Sequence, residues 1–527
     1  MADIIEYVQR FKQGAEALNL RDTASLFSLS SILDAISTPL ASDVELRASF
    51  GSDPSIYPAL RKLWRDLSHA QLTFWADEGD DEDGETSRED SEQQRATKGI
   101  CLSLARFTRN LVAAVPENQN RAYENEPEIR RLLHYYTSWS MAEDADAVAT
   151  ARMLTQTLSN LVTGNDALMS SLWQTYLALP EDQVVLLRLL AHPDSRTVLS
   201  TLIFMLNIIK DNGTRINALC TTPIGLRLSV VLLNSMTRSY EADEDTDAGR
   251  TFNYGYFIFA QIIEHGLVPQ LLARLAMEGE VVTPHQTTLL KLTDSYLQSP
   301  AQEGRDAIHE GLMPVLSEVF FTLSQSARAS ISRSVAGDAS APPAELDVML
   351  PKVCEALVLL TQCIVSVALA AEGQASDPLG RRKYFAEART AEIGMVESIV
   401  DLLRLLDAFL PRINFGKPVG QSATNGAPPP DSPGFFYLKR DLVRLLGVLV
   451  HRNRAVQDRV RECGGIQIVM NLCVVDERNP YLREHAIFTL HNLLEGNAAN
   501  QALVDEIQPV READENGVLK PVQVPLT

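Results

Sequence analysis

An amide recurs near the ends of apolar helical segments in this chain, and the interval between its recurrences constrains the fold more than any other feature. Asn110-Leu111 is followed nine residues later by Gln119, and Asn492-Leu493 nine residues later by Gln501. Asn160, Asn207 and Asn492 each carry a second Asn five positions on, at Asn165, Asn212 and Asn497. The run LLGVLVHRNRAVQDRV repeats the scheme with Asn453 and Gln457, 44 residues before Asn497 and Gln501, with Val448 in place of the first amide. A Gly followed by apolar residues at +1 and +5 accompanies it at Gly266, Gly311, Gly394 and Gly465, the first three separated by 45 and 83 residues. Self-similarity at about 40–47 residues in a helical chain is the mark of armadillo and HEAT arrays, whose units bury their apolar faces only against neighbours. The expected fold class is all-α, an armadillo/HEAT-like α-α superhelix.

The last recurrence, NPYLREHAIFTLHNLLEGN, shows what the amide can do. Asn479 is placed to cap a helix with Pro480 in its first turn, and Leu482, Ala486, Leu490 and Leu493 form one apolar face. Gly496 supplies a left-handed stop, and Asn497 can cap a short helix containing Gln501. Asn492 then sits one turn before a chain reversal, where terminal carbonyls and N–H groups lack partners that its amide can supply. Asn110, Asn160, Asn207, Asn453, Asn492, Asn497 and Gln501 are therefore expected to be structural repeat amides, with a peptide-binding ladder as the alternative.

A chain of 527 residues is long for a single core, as a repeat array would be. The net charge of −21 opposes binding to nucleic acid or an anionic membrane, since each phosphate contact needs a Lys or Arg. Protein partners are expected instead. Residues 77–92 hold ten acids against Arg88, and the Ser/Ala/Pro-rich 325–345 and Pro/Gly-rich 411–434 interrupt the helical pattern. The expected organisation is N-terminal helices over 1–76, an acidic linker or loop over 77–98, repeats over 99–324, a mobile insertion over 325–345, further armadillo-like helices over 346–410, a loop over 411–434, C-terminal repeats over 435–510 and a tail over 511–527. The solenoid is expected to divide across 325–345. The opening MADIIEYVQRFKQ lacks the basic start and apolar run of a signal peptide, and the six cysteines show no CxxC spacing, so a cytoplasmic location is expected. The longest apolar run, ALVLLTQCIVSVALAA, is 16 residues, short of the roughly 20 needed to span a bilayer, and reads as a buried helix with no direct membrane insertion.

No CxxC, HExxH, GxSxG, P-loop or GxGxxG pattern is present, so no catalytic residue, metal site or cofactor is expected. The nine histidines are dispersed, and no Cys, Met or His cluster of the kind copper favours occurs. Ser330, two residues after Arg328 and before Ile331, is a candidate phosphosite for a basophilic kinase.

The segment from about Phe435 to Val510 resembles the ataxin-10 family and its fungal members, through KRDLVRLLG at 439–447, GGI at 464–466, DERNP at 476–480 and NLLEGNAANQ at 492–501. Val448 stands where that family has Asn, and His485 where it has Trp. The resemblance implies an armadillo-like, non-enzymatic scaffold associated with cytokinesis, polarised growth and cell survival, with homo-oligomer formation among its forms of assembly. Two alternatives are weighed beside it. A karyopherin-like cargo receptor would repeat Trp with Asn, whereas Trp64, Trp75, Trp139 and Trp173 all fall in the first third of the chain; the other alternative is an enzyme with an unrecognised site.

The basic stretch Lys439–Arg461 carries seven Lys/Arg against Asp441 and Asp458. Arg440, Arg444, Gly447 and His451 share one helical stripe, and advancing by 44 residues gives Glu484, Phe488, His491 and Glu495. Either Arg440 and Arg444 pair with Glu484 in an internal ladder, or Arg440, Arg444, His451 and Phe488 receive an acidic segment of a partner or a second copy of this chain.

Overall fold

Short polar side chains start several helices of this protein, and left-handed residues follow several helix ends. Asp144 accepts from the N–H groups of Asp146 and Ala147, Asp194 from Thr197, and Thr283 forms a reciprocal capping box with Gln286. Residues with positive φ follow the amide positions at a fixed offset. Ala114 (58°), Gly164 (82°), Asp211 (54°), Arg452 (51°) and Gly496 (64°) each lie four residues beyond Asn110, Asn160, Asn207, Val448 and Asn492. The computed structural model describes residues 2–73, 88–299, 305–335, 347–370, 380–414, 417–418, 433–506, 511–513 and 519–521.

The chain divides into two units, Met1–Arg274 and Leu275–Thr527. The first opens with α1 (Ala2–Ala17), α2 (Thr23–Ser42), α3 (Val44–Gly51), α4 (Ile56–Thr73) and α5 (Arg88–Val112). It continues with α6 (Pro116–Ala122), α7 (Glu126–Tyr136), α8 (Ala145–Val162), α9 (Asp166–Ala178) and α10 (Val185–Leu190). It closes with α11 (Ser195–Ile209), α12 (Gly213–Thr221), α13 (Pro223–Ser239), α14 (Asp247–Glu264) and α15 (Val268–Arg274). Helices α2, α5, α8, α11 and α14 pack in succession as one row, and α1, α4, α7, α10 and α13 form a second.

The second unit contains α16 (Pro284–Gln298), α17 (Arg305–Val335), α18 (Leu350–Leu369), α19 (Arg381–Glu387) and α20 (Met395–Phe409). After these come α21 (Leu438–Val450), α22 (Arg454–Glu462), α23 (Gly465–Asn471), α24 (Leu482–Leu494) and α25 (Ala498–Glu506). Here the main row is α16, α18, α21 and α24, with α17 and α20 packed behind it. Two short antiparallel hairpins, β1 (Ile413–Asn414) with β2 (Lys417–Pro418) and β3 (Arg511–Ala513) with β4 (Leu519–Pro521), are the sheets among the described residues. The fold is all-α and armadillo-like, each long helix of a row burying its apolar stripe against the next.

Several local expectations change. Residues 88–98, expected to be linker, form the first turns of α5, because Gln, Ala and Lys favour helix and Ala96 and Ile100 supply a buried face. Residues 325–335, expected to be a mobile insertion, continue α17, with Ala327, Ser330 and Ile331 buried at helical spacing. The rest of that insertion, 336–345, lies outside the described residues. The division between units falls at Arg274 and Leu275 rather than across 325–345. Hairpin β1–β2 sits within the expected loop 411–434 and β3–β4 within the expected tail. Helix α18 is 20 residues long and, with α2, apolar enough to cross a membrane by length and composition; its buried residues pack against α16, α17 and α21.

Candidate functional site

The repeat amides join neighbouring helices of each row. Asn110 Nδ2 donates to the Ser37 carbonyl of α2 at 2.9 Å, Asn160 Nδ2 to the Arg109 carbonyl of α5 at 3.2 Å, and Asn492 Nδ2 to the Gly447 carbonyl of α21 at 3.1 Å. Asn207 Nδ2 donates instead to Thr163 Oγ1 at 3.3 Å. A threonine one turn earlier adds a second bond: Thr157 Oγ1 donates to the Ala105 carbonyl and Thr489 Oγ1 to the Val443 carbonyl. The +9 glutamine equivalents act in the opposite direction. Gln119 Nε2 donates to the carbonyls of Asn160 and Thr163 at the end of α8, and Gln457 Nε2 to that of Asn492 at the end of α24.

Asn492 therefore serves an orphan carbonyl, but one of the preceding repeat. Its own reversal is closed by Gln457, by Asn500 Nδ2 on the Leu493 carbonyl and by Gln501 Nε2 on the Leu494 carbonyl at 2.8 Å. Asn453 accepts from Val456 N at the start of α22, and Asn497 accepts from Asn500 N while its Nδ2 reaches Gln457 and Asp458. Asn479 does not cap α24. It donates to Asp476 Oδ2, and the helix starts at Leu482 after Tyr481, whose φ of 64° matches the 68° of Tyr437 in the preceding repeat. The reason is that Asp476 competes for the Asn479 amide and folds the 476–479 segment into a turn of its own.

Ion pairs and polar hydrogen bonds cross each row as a series of rungs. In the first unit Arg106 pairs with Asp34 at 2.6 Å, Lys98 with Asp144, Arg152 with Asp194 at 3.7 Å and Arg196 with Asp247 at 2.8 Å. In the second, Lys291 pairs with Glu355 at 2.7 Å between α16 and α18, and Gln362 Nε2 donates to Asp441 Oδ2 at 2.8 Å between α18 and α21. Among the described residues no ion pair joins α21 to α24. The expected ladder from Arg440 and Arg444 to Glu484 is not formed. Arg440 gives both arms of its guanidinium to buried Asp441, at 2.7 and 2.9 Å, and lies 4.4 Å over the Tyr437 ring. That bidentate, stacked geometry occupies the guanidinium that would have paired with Glu484.

Arg444 is exposed and has no hydrogen-bond or ion-pair partner among the described residues. At the equivalent place on α24, Phe488 is 61% exposed, beside Ile487 at 48%. His451 is half-buried, with Nδ1 3.4 Å from Asn492 Oδ1, and belongs to the repeat staple. Burial, with Arg444 and Arg440 nearby, lowers the pKa of His485. Of the four residues grouped from the sequence, Arg444 and Phe488 are exposed, with Arg444 acting on the Asp294 carboxylate, and Arg440 and His451 are engaged by neighbours. Asp441 stands in the sequence only as one acid within a basic stretch, and its partnership with Arg440 and with Gln362 carries no signal there.

Ser330 does not offer a hydroxyl to a kinase in the folded chain: it is 3% exposed and donates to Asp347 Oδ2 at 2.9 Å. Trp64 and Trp173 are core residues and Trp139 is exposed, while Trp75 lies outside the described residues.

Residues 438–526 match the family described as Spinocerebellar ataxia type 10 protein domain. An ataxin-10 homolog of Dictyostelium discoideum is 43% identical over 82 residues, 16% of this chain and 13% of its own. Human ataxin-10 is 32% identical over 122 residues, 23% of this chain and 25% of its own. The Kluyveromyces lactis homolog is 35% identical over 83 residues, 16% of this chain and 15% of its own. The resemblance read from KRDLVRLLG, GGI, DERNP and NLLEGNAANQ thus holds over this C-terminal segment, which spans a quarter or less of those relatives. Among solved structures, SYS-1 aligns with 95% of this chain and 88% of its own at 12% identity and a TM-score of 0.35.

Proposed function

We propose that this chain is a non-enzymatic armadillo-like scaffold that receives an acidic, apolar-anchored segment of a protein partner on α21 and α24, with Arg444 pairing a carboxylate and Phe488 supplying the anchor. The observation that carries the reading is a guanidinium left out of the polar rungs: an ion pair joins α16 to α18 and a Gln–Asp hydrogen bond joins α18 to α21, whereas Arg444 on α21 stands exposed opposite an exposed aromatic on α24. Arg and aromatic residues dominate binding energy at protein interfaces, and an unpaired guanidinium beside apolar surface suits a carboxylate with a neighbouring apolar side chain. The net charge of −21 supports a protein rather than a nucleic-acid partner, and the partner includes a second copy of this chain among its forms. The proposal extends, through the family resemblance of the C-terminal segment, to a role in cytokinesis, polarised growth and cell survival, and, through the unpaired cysteines, to the cytoplasm.

The test is capture from the native cell by full-length protein and by Arg444→Glu and Phe488→Ala, read by quantitative mass spectrometry alongside thermal melting. Loss of the same partners in both variants at an unchanged melting temperature supports docking. Retention of all partners by both variants overturns the site.

A further inference from the structure

Away from the α21–α24 face, a hollow of about 470 Å³ lies between α17 and α19 in the second unit. Its walls are Phe321 and Tyr384, its rim carries Glu318 and Glu387, and the turn Ala388–Thr390 closes one side. The volume is within the range of about 300–1,000 Å³ typical of ligand sites. Ser317 also lines it, 7% exposed, and its hydroxyl has no hydrogen-bond partner.

Two carboxylates line the hollow beside two aromatic rings. Glu318, Glu387, Tyr384 and Arg389 are exposed, so they are open to an incoming group. Arg389 also lines the hollow and acts on the Glu397 carboxylate, which accepts two bonds from Arg459, so one guanidinium stands against two carboxylates there. Glu387 stands 3.9 Å from Lys383 across one helical turn, an exposed pair weak enough to exchange for a ligand cation. Two aromatic rings beside two carboxylates form a setting that attracts guanidinium or ammonium groups through both the ring face and the charge.

We propose that this hollow is a binding site for the cationic side chain of an arginine or lysine in a partner peptide, held between Phe321 and Tyr384 and paired with Glu318 and Glu387. It is separate from the α21–α24 face and does not depend on it.

The probe is the fluorescein-labelled peptide acetyl-Gly-Ser-Arg-Ser-Gly against its Gln counterpart, titrated with the full chain and read by anisotropy at two salt concentrations. The Arg peptide is expected to bind and the Gln peptide not, with roughly three- to fivefold weakening for Tyr384→Ala, little change for Tyr384→Phe, and a larger loss for Glu318→Gln with Glu387→Gln. Because the whole chain is acidic, Glu278→Gln with Glu280→Gln removes the same charge elsewhere and is expected to change nothing. Equal binding of the two peptides, or equal losses from the two Glu pairs, overturns the site. Should Tyr384→Ala lower the melting temperature, the Glu318 and Glu387 pair decides alone.

Discussion

Replacing Asn492 with Leu tests the staple between repeats at the point where its partners are best defined. The Asn492 amide is 2% exposed and donates to the Gly447 carbonyl, in the last turn of α21. His451, the residue that would ordinarily close that carbonyl from within the helix, makes no such backbone bond. Leu fills a similar volume without a donor, so the carbonyl is left buried and unpaired while the His451 contact is also lost. A lost bond of about 0.5–1.5 kcal/mol and an unpaired buried acceptor together place the cost at roughly 1–3 kcal/mol. For a unit of this size each kcal/mol moves the midpoint by about 2–4 °C, so a fall of roughly 2–12 °C is expected in calorimetry, with a matching loss in urea. Phe488→Ala, which removes more atoms from an exposed place, should leave the midpoint within experimental scatter. A melting temperature unchanged by Asn492→Leu would refute the reasoning.

Arg452→Gly should stabilise the protein by about 1 kcal/mol in urea unfolding, since Arg452 sits at a φ of 51° that glycine adopts without strain; a fall in stability would count against the strain. Gly447→Ala should cost about 1–3 kcal/mol on the same assay, because its Cβ would stand 2.4 Å from Thr489 Oγ1 and displace the bond to Val443, so an unchanged curve would mean α21 and α24 separate freely. His309 is held neutral by burial and by Arg381 and Arg305, with Asp306 opposing, and its pKa is lowered to about 4. A depressed folded value means that protonation favours the unfolded chain, so stability contributed above about pH 6.5 should be lost as pH falls toward 4. The difference in melting temperature between the native chain and His309→Gln should shrink or invert across that window; a constant difference would remove His309 from the acid response.

The fold was legible because the repeat amides keep their register in sequence, as Asn453 and Gln457 do 44 residues before Asn497 and Gln501. What the spacing could not give was the owner of each accepted carbonyl. A side chain pointing along a row meets the neighbouring repeat, so Asn492 binds Gly447 while the carbonyls of its own reversal fall to Gln457, Asn500 and Gln501. The left-handed stops were half visible. Gly164 and Gly496 announce themselves, but Ala114, Asp211 and Arg452 take the same conformation only because the packed helices on either side impose it. Composition misread 325–335, where Ser and Ala suggested mobility although Ala327, Ser330 and Ile331 have the spacing of a buried stripe. At the candidate site, helical spacing grouped Arg440 with Arg444, and only the fold shows that Asp441 and Tyr437 retain the first and leave the second exposed.

Site-specific photo-crosslinking in the native cell tests docking on α21 and α24 most directly. A photoreactive phenylalanine analogue is placed at Phe488 and, in a second chain, at Phe27 on α2, which is likewise 61% exposed. Docking predicts discrete adducts from position 488 that vanish when Arg444→Glu is added, and none from position 27. Adducts of equal yield from both positions, or adducts at 488 that persist with Arg444→Glu, would contradict it.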